Sequence, residues 1–149
     1  MTTTARISFL NSVCLLIALS LAAPLAITQK ESAPAQKDDS VYAELAKAPK
    51  KAVGRRNPME RDPEAVAAGA NLFDQHCVEC HGATGEGGRK GPSLLAPQVQ
   101  QATPGTLFWI LTNGVVRRGM PVWSKLPEPQ RWQLVTYIKS LGAAGKPSQ

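Results

Sequence analysis

Cys77-Val78-Glu79-Cys80-His81 is the stretch from which the rest of the chain is read. In the spacing C-x-x-C-H each thiol can add to one vinyl group of the same porphyrin, the pattern of covalent c-type haem attachment. His81 then follows directly as a proximal ligand to the iron. Five positions match by chance often enough that their surroundings must decide. A structural zinc site takes four protein ligands, and the remaining Cys and His of the chain are only Cys14 and His76. Cys14 lies in an apolar leader. A thioredoxin-type dithiol follows a strand in a βαβ pattern, yet what precedes Cys77 reads as an alanine-rich helix. Covalent haem is the reading that survives.

The 149 residues allow one domain with appendages. After Arg6, residues 7 to 27 are almost wholly apolar, so residues 1–27 read as a signal peptide or, uncleaved, as an N-terminal membrane anchor of sufficient length. Either implies export, where c-type attachment takes place. Residues 28–61 shift to Lys, Ala, Pro, Gln and Asp with few large apolar side chains, which predicts a flexible linker with at most a marginal helix at Val41 to Ala48. Such a linker would span about 30 Å and let a tethered domain swing between partners.

Residues 62–142 form the expected folded unit, with 143–149 a disordered tail. At about eighty residues an ordinary apolar core is barely sufficient, and a buried porphyrin would supply the missing volume. Asp62-Pro63-Glu64 combines an N-cap carboxylate, an N1 proline and a first-turn acid, predicting a helix to about His76 that delivers Cys77 at its end. Gly69 within it costs about 1 kcal/mol against alanine, which points to close approach by another helix. Thr103-Pro104 starts a second helix ending at Asn113-Gly114, and a third begins near Pro127 and stops at Gly142. Trp132 and Tyr137 in that last helix have Leu134, Ile138 and Leu141 at neighbouring positions, so they read as core rather than as a base-stacking surface.

From Gly82 to Pro92, five of eleven positions are glycine. No Gly-Lys-Ser/Thr follows and no strand precedes, so the segment reads as a loop around a haem edge rather than a phosphate cradle. Gly119-Met120-Pro121 puts a methionine in a constrained irregular segment. That setting favours a thioether ligand, against packing or the wall of an open sixth position. His76 reads as an exposed helix-end residue.

The order of these parts over residues 62–142 resembles the class I cytochrome c family: the helix with Gly69 and Phe73, Cys77 to Gly82, Gly91-Pro92-Ser93-Leu94, Gly119-Met120-Pro121, and the closing helix with Leu134 and Tyr137. The resemblance implies an all-α cytochrome c fold of three to five short helices wrapped around one covalent haem c, the first and last helices crossing at the glycine and aromatics. It implies that the Pro92 carbonyl accepts a hydrogen bond from the proximal histidine. The chain is similar to small bacterial monohaem cytochromes and to domains attached to quinoprotein dehydrogenases or terminal oxidases. Arg89, Lys90, Trp109 and Trp123 are candidates for the propionates.

The expected function is single-electron transfer with His81 and Met120 as axial ligands and no enzymatic activity. The expected partners are exported or membrane-bound redox proteins, among them a quinoprotein dehydrogenase, a respiratory complex or a terminal oxidase. The alternative is a haem enzyme or gas sensor with a displaceable sixth ligand. The expected location is the periplasm, free or membrane-anchored. The total charge is +6, but from Asp62 onward eight Lys/Arg face six Asp/Glu, a net of +2 that gives nucleic-acid binding little support.

Overall fold

The computed structural model describes residues 39–144, so the expected leader or anchor (residues 1–27), residues 28–38 and the end of the expected tail lie outside the described residues. A 3-10 helix, Asp39–Lys47, comes first. It is followed by α1 (Lys50–Val53), α2 (Pro63–His76), α3 (Val78–His81), α4 (Pro97–Gln101), α5 (Pro104–Asn113) and α6 (Glu128–Ala144), with a 3-10 turn at Val116–Arg118. The three long helices are those marked by caps and prolines. Among the described residues there are no strands, only an isolated bridge between Val115 and Met120, and no helix is long and apolar enough to cross a membrane.

Helix α2 begins where Asp62 accepts hydrogen bonds from the Glu64 and Ala65 amides at 2.9 and 3.4 Å, with Pro63 at a position that has no intrahelical amide to lose. It crosses α6 at Gly69, where an added Cβ would collide with the Gln133 carbonyl and lie 2.8 Å from Tyr137 Cβ. Beside the crossing, the Phe73 and Tyr137 rings sit 5.2 Å apart. Phe73, Leu134 and Val135 are the most completely buried side chains. Helix α5, capped by the Thr103 hydroxyl accepting from Thr106 N at 3.2 Å, packs Leu107, Phe108 and Leu111 into the same core.

Two boundaries differ from expectation. Residues 39–61 are packed structure rather than linker. Tyr42 joins the core cluster, Ala52 is buried against Gly105 of α5, and Asn57 is buried with its amide donating to Thr136 Oγ1 at 2.8 Å. Asn57 Oδ1 also accepts from Met59 N at 2.9 Å. A few well-placed contacts hold a segment whose average composition is that of a linker. At the other end, α6 continues through Gly142 to Ala144. Gly142 serves close approach instead of termination, since a Cβ there would meet the Gln100 side chain, whose amide donates to Ile138 O at 2.9 Å.

Candidate functional site

The C-x-x-C-H stretch folds as a cap and a single helical turn. Cys77 ends α2 by donating its amide to Phe73 O at 2.8 Å, and its own carbonyl then accepts from Cys80 N at 3.1 Å and His81 N at 2.9 Å, starting α3. Three positions apart on one turn, the two thiols share a face. Both are half-buried, neither forms a disulfide, and both line one cavity of about 730 Å³. Burial first, and the neighbouring Cys80 second, push the Cys77 thiol up to about 11. It is a neutral group in an apolar setting.

The glycine loop fixes the histidine. Gly82, with φ of +80°, turns the chain out of α3, and Gly87 N donates to His81 O at 2.7 Å. Gly91 lies against the imidazole, where a Cβ would stand 3.2 Å from His81 Cε1 and 2.8 Å from Cys80 O. Next in the chain, Pro92 presents its carbonyl to His81 Nδ1 at 2.8 Å. A carbonyl only accepts, so this bond requires the proton on Nδ1 and, in the neutral ring, leaves Nε2 with its lone pair. His81 lines the cavity with the two cysteines.

Met120 reaches the same cavity from the segment after α5. Val115 N donates to Met120 O at 3.0 Å and Met120 N to Val115 O at 3.2 Å, closing a tight loop. Gly119 there has φ of +88°, and Trp123 N donates to Leu111 O at 3.0 Å. The other described methionine, Met59, packs on the core and does not line the cavity. Among the described residues, no three His, Cys, Asp or Glu side chains converge to hold a metal ion directly.

Of the propionate candidates, Arg89, Lys90 and Trp123 line the cavity and Trp109 does not. Lys90 is paired with Glu79, a contact that holds the carboxyl below and the ammonium above their ordinary ranges. Both are solvent-exposed, so the pair contributes little to stability. His76 is exposed as expected, yet it lines the rim with its ring 5.3 Å from that of Trp123. Sequence reasoning missed Val41, Tyr42, Glu44 and Leu45, which also line the cavity. The readable signal was Val41, Tyr42 and Leu45 at helical spacing, obscured by the polar composition around them.

These residues fit a covalently held haem. The cavity lies within the size range of cofactor sites, about 300–1,000 Å³. Its walls are mostly apolar, and two thiols, an oriented imidazole and a thioether all reach it. The family model for "Cytochrome C oxidase, cbb3-type, subunit III" matches residues 64–138. The chain belongs to this family, within the class I c-type cytochromes. A cytochrome c of this kind carries one covalently bound haem c, in a family of electron-transfer proteins. Among curated relatives, the cytochrome bc1 complex cytochrome c subunit of Corynebacterium diphtheriae is 33% identical over 90 residues, covering 59% of this chain and 31% of its own. The cbb3-type cytochrome c oxidase subunit CcoP of Azospirillum sp. is 34% identical over 96 residues, 58% of this chain and 32% of its own. The chain thus spans about a third of the length of these relatives. The crystal structure of cytochrome CL from Methylophaga aminisulfidivorans matches with a TM-score of 0.51 at 20% identity, covering 76% of this chain and 71% of that one, a likeness of fold.

Proposed function

We propose that this cytochrome passes single electrons between exported or membrane-bound respiratory partners, with haem c joined to Cys77 and Cys80 and axially held by His81 and Met120. The observation that carries the ligand set is the 2.8 Å contact of His81 Nδ1 with Pro92 O, which leaves Nε2 available in the cavity that both thiols and Met120 line. Bound there, haem supplies a reversible one-electron couple. The chain's residues set its behaviour. Pro92 orients His81 and raises its basicity. Met120 would supply a soft sulfur, which favours reduced iron, and would leave no position for a substrate. Leu107, Leu111 and Ile138 exclude water from the interior wall. If His81 and Met120 both held the iron, little rearrangement would accompany a change of oxidation state, as electron transfer requires and substrate chemistry does not.

The partner class follows from relatives named as subunits of a bc1 complex and of cbb3-type oxidases. A quinol-oxidising complex as donor and a terminal oxidase as acceptor, meeting this chain on the periplasmic side, is the arrangement those names support. Residues 1–27 would act there as leader or anchor. The test is a reduced-minus-oxidised spectrum with ligand challenge. A low-spin spectrum in both oxidation states, with slow binding of carbon monoxide and cyanide, is expected. A high-spin species that binds either ligand rapidly would instead support a haem enzyme or gas sensor.

A further inference from the structure

Tyr42 spans 51 positions of sequence to donate its hydroxyl to Ser93 O at 3.0 Å. Ser93 is the residue next to Pro92, whose carbonyl holds His81 Nδ1 at 2.8 Å. Tyr42 as a residue is 9% exposed and forms part of the cavity wall with Val41 and Leu45. It lies upstream of residues 64–138, the segment that the family model matches.

We propose that Tyr42 is a positioning residue for the proximal histidine, a reading that rests on His81 as an iron ligand. The proline ring fixes φ at residue 92, so the planar peptide that carries the Pro92 carbonyl swings by ψ at residue 92 coupled to φ at the adjoining Ser93. Bonds to nearby residues also hold this stretch. Leu94 N donates to Gly85 O at 2.7 Å, Leu95 N to Ser93 Oγ at 3.2 Å, and Gln100 Nε2 to Leu94 O at 2.7 Å. The Tyr42 bond ties the Ser93 carbonyl to a separate element, the 3-10 helix, whose packing against α4 and α5 anchors it. Holding Ser93 keeps the Nδ1–H···O bond formed and the imidazole basic, while the ring keeps water from that wall.

The test is Tyr42→Phe in the haem-loaded protein, which removes the donor and keeps the ring, with Asn57→Ala as a control that loosens the same segment away from the cavity. In the oxidised wild type the His81 Nδ1–H proton should give a paramagnetically shifted resonance. Tyr42→Phe should speed its exchange with solvent by roughly threefold to tenfold, the worth of one ordinary hydrogen bond. The reduction potential should rise, because a less basic imidazole stabilises the oxidised iron less. Asn57→Ala should lower the melting temperature and leave both readouts at wild-type values. Unchanged exchange and potential in Tyr42→Phe, or equal acceleration in both variants, overturns the proposal, since the hydroxyl would then act only on overall stability. A wild type without a shifted His81 resonance overturns the ligand reading itself, and the proposal with it.

Discussion

Gly69 on α2 lies directly against the Gln133 carbonyl on α6, with no room between the two helices for a side chain at that position. The crossing places Cys77, eight residues further along α2, at the wall of the cavity. Helix packing thus sets where the Cys77 thiol stands.

Gly69→Val separates local preference from packing. Helix propensity favours valine over glycine by a few tenths of a kcal/mol, while overpacking a close contact costs about 1–3 kcal/mol. The variant should therefore be less stable by about 1–3 kcal/mol in denaturant unfolding. A neutral or stabilised protein would show that the helices part without cost.

Loss of either thiol should leave one covalent link. Acid–acetone should strip no haem from the wild type, and a haem stain should survive a denaturing gel. Cys77→Ala and Cys80→Ala should each hold haem through one bond and unfold at lower temperature. Free haem in the wild-type extract would contradict attachment at Cys77 and Cys80.

Met120→Ala should lower the potential and admit carbon monoxide, because water or a weak protein group replaces a soft sulfur. The oxidised wild type should carry a weak sulfur-to-iron charge-transfer band that the variant lacks. Equal rates of carbon monoxide binding in the two proteins would remove Met120 from the iron.

The convergence of Cys77, Cys80, His81 and Met120 on one cavity was foreshadowed in the sequence by residue type and by short spacing or a constrained turn. The long helices were readable because Asp62-Pro63 and Thr103-Pro104 signal their starts locally. What escaped was contact over long sequence separation. Tyr42 bonds to Ser93 and Asn57 to Thr136, 51 and 79 positions away, and neither contact leaves a trace in the polar, proline-bearing composition of residues 28–61. Gly142 misled for a related reason. Near the end of a helix pattern a glycine reads as a stop, and only the approach of Gln100 shows that it serves packing.

The packed state of residues 39–61 is checked by Asn57→Ala. The substitution leaves the Met59 amide without its acceptor and removes a donor from buried Thr136. Such losses cost about 1–3 kcal/mol. Lys51→Ala, at an exposed position of α1, should change stability by less than about 0.5 kcal/mol. Equal melting temperatures for Asn57→Ala and wild type would return the segment to the status of a linker.

The two arginines before Gly119 separate steering of a partner from contact with the haem. Both are exposed, but Arg118 lines the cavity and Arg117 does not. A charge on the rim acts on the encounter rate and is screened beyond about 8 Å at physiological salt. If an acidic partner docks at the rim, Arg117→Gln should slow bimolecular electron transfer roughly twofold to fivefold at low salt, the effect of a rim interaction below about 1 kcal/mol. The spectrum and the potential should stay unchanged, and the two rates should converge as salt is raised. Arg118→Gln should add a shift in potential if its guanidinium meets a propionate. A rate deficit in Arg117→Gln that persists at high salt would show that the arginine supports the Met120 loop instead, and steering would then have to come from other cations at the rim, such as Arg89.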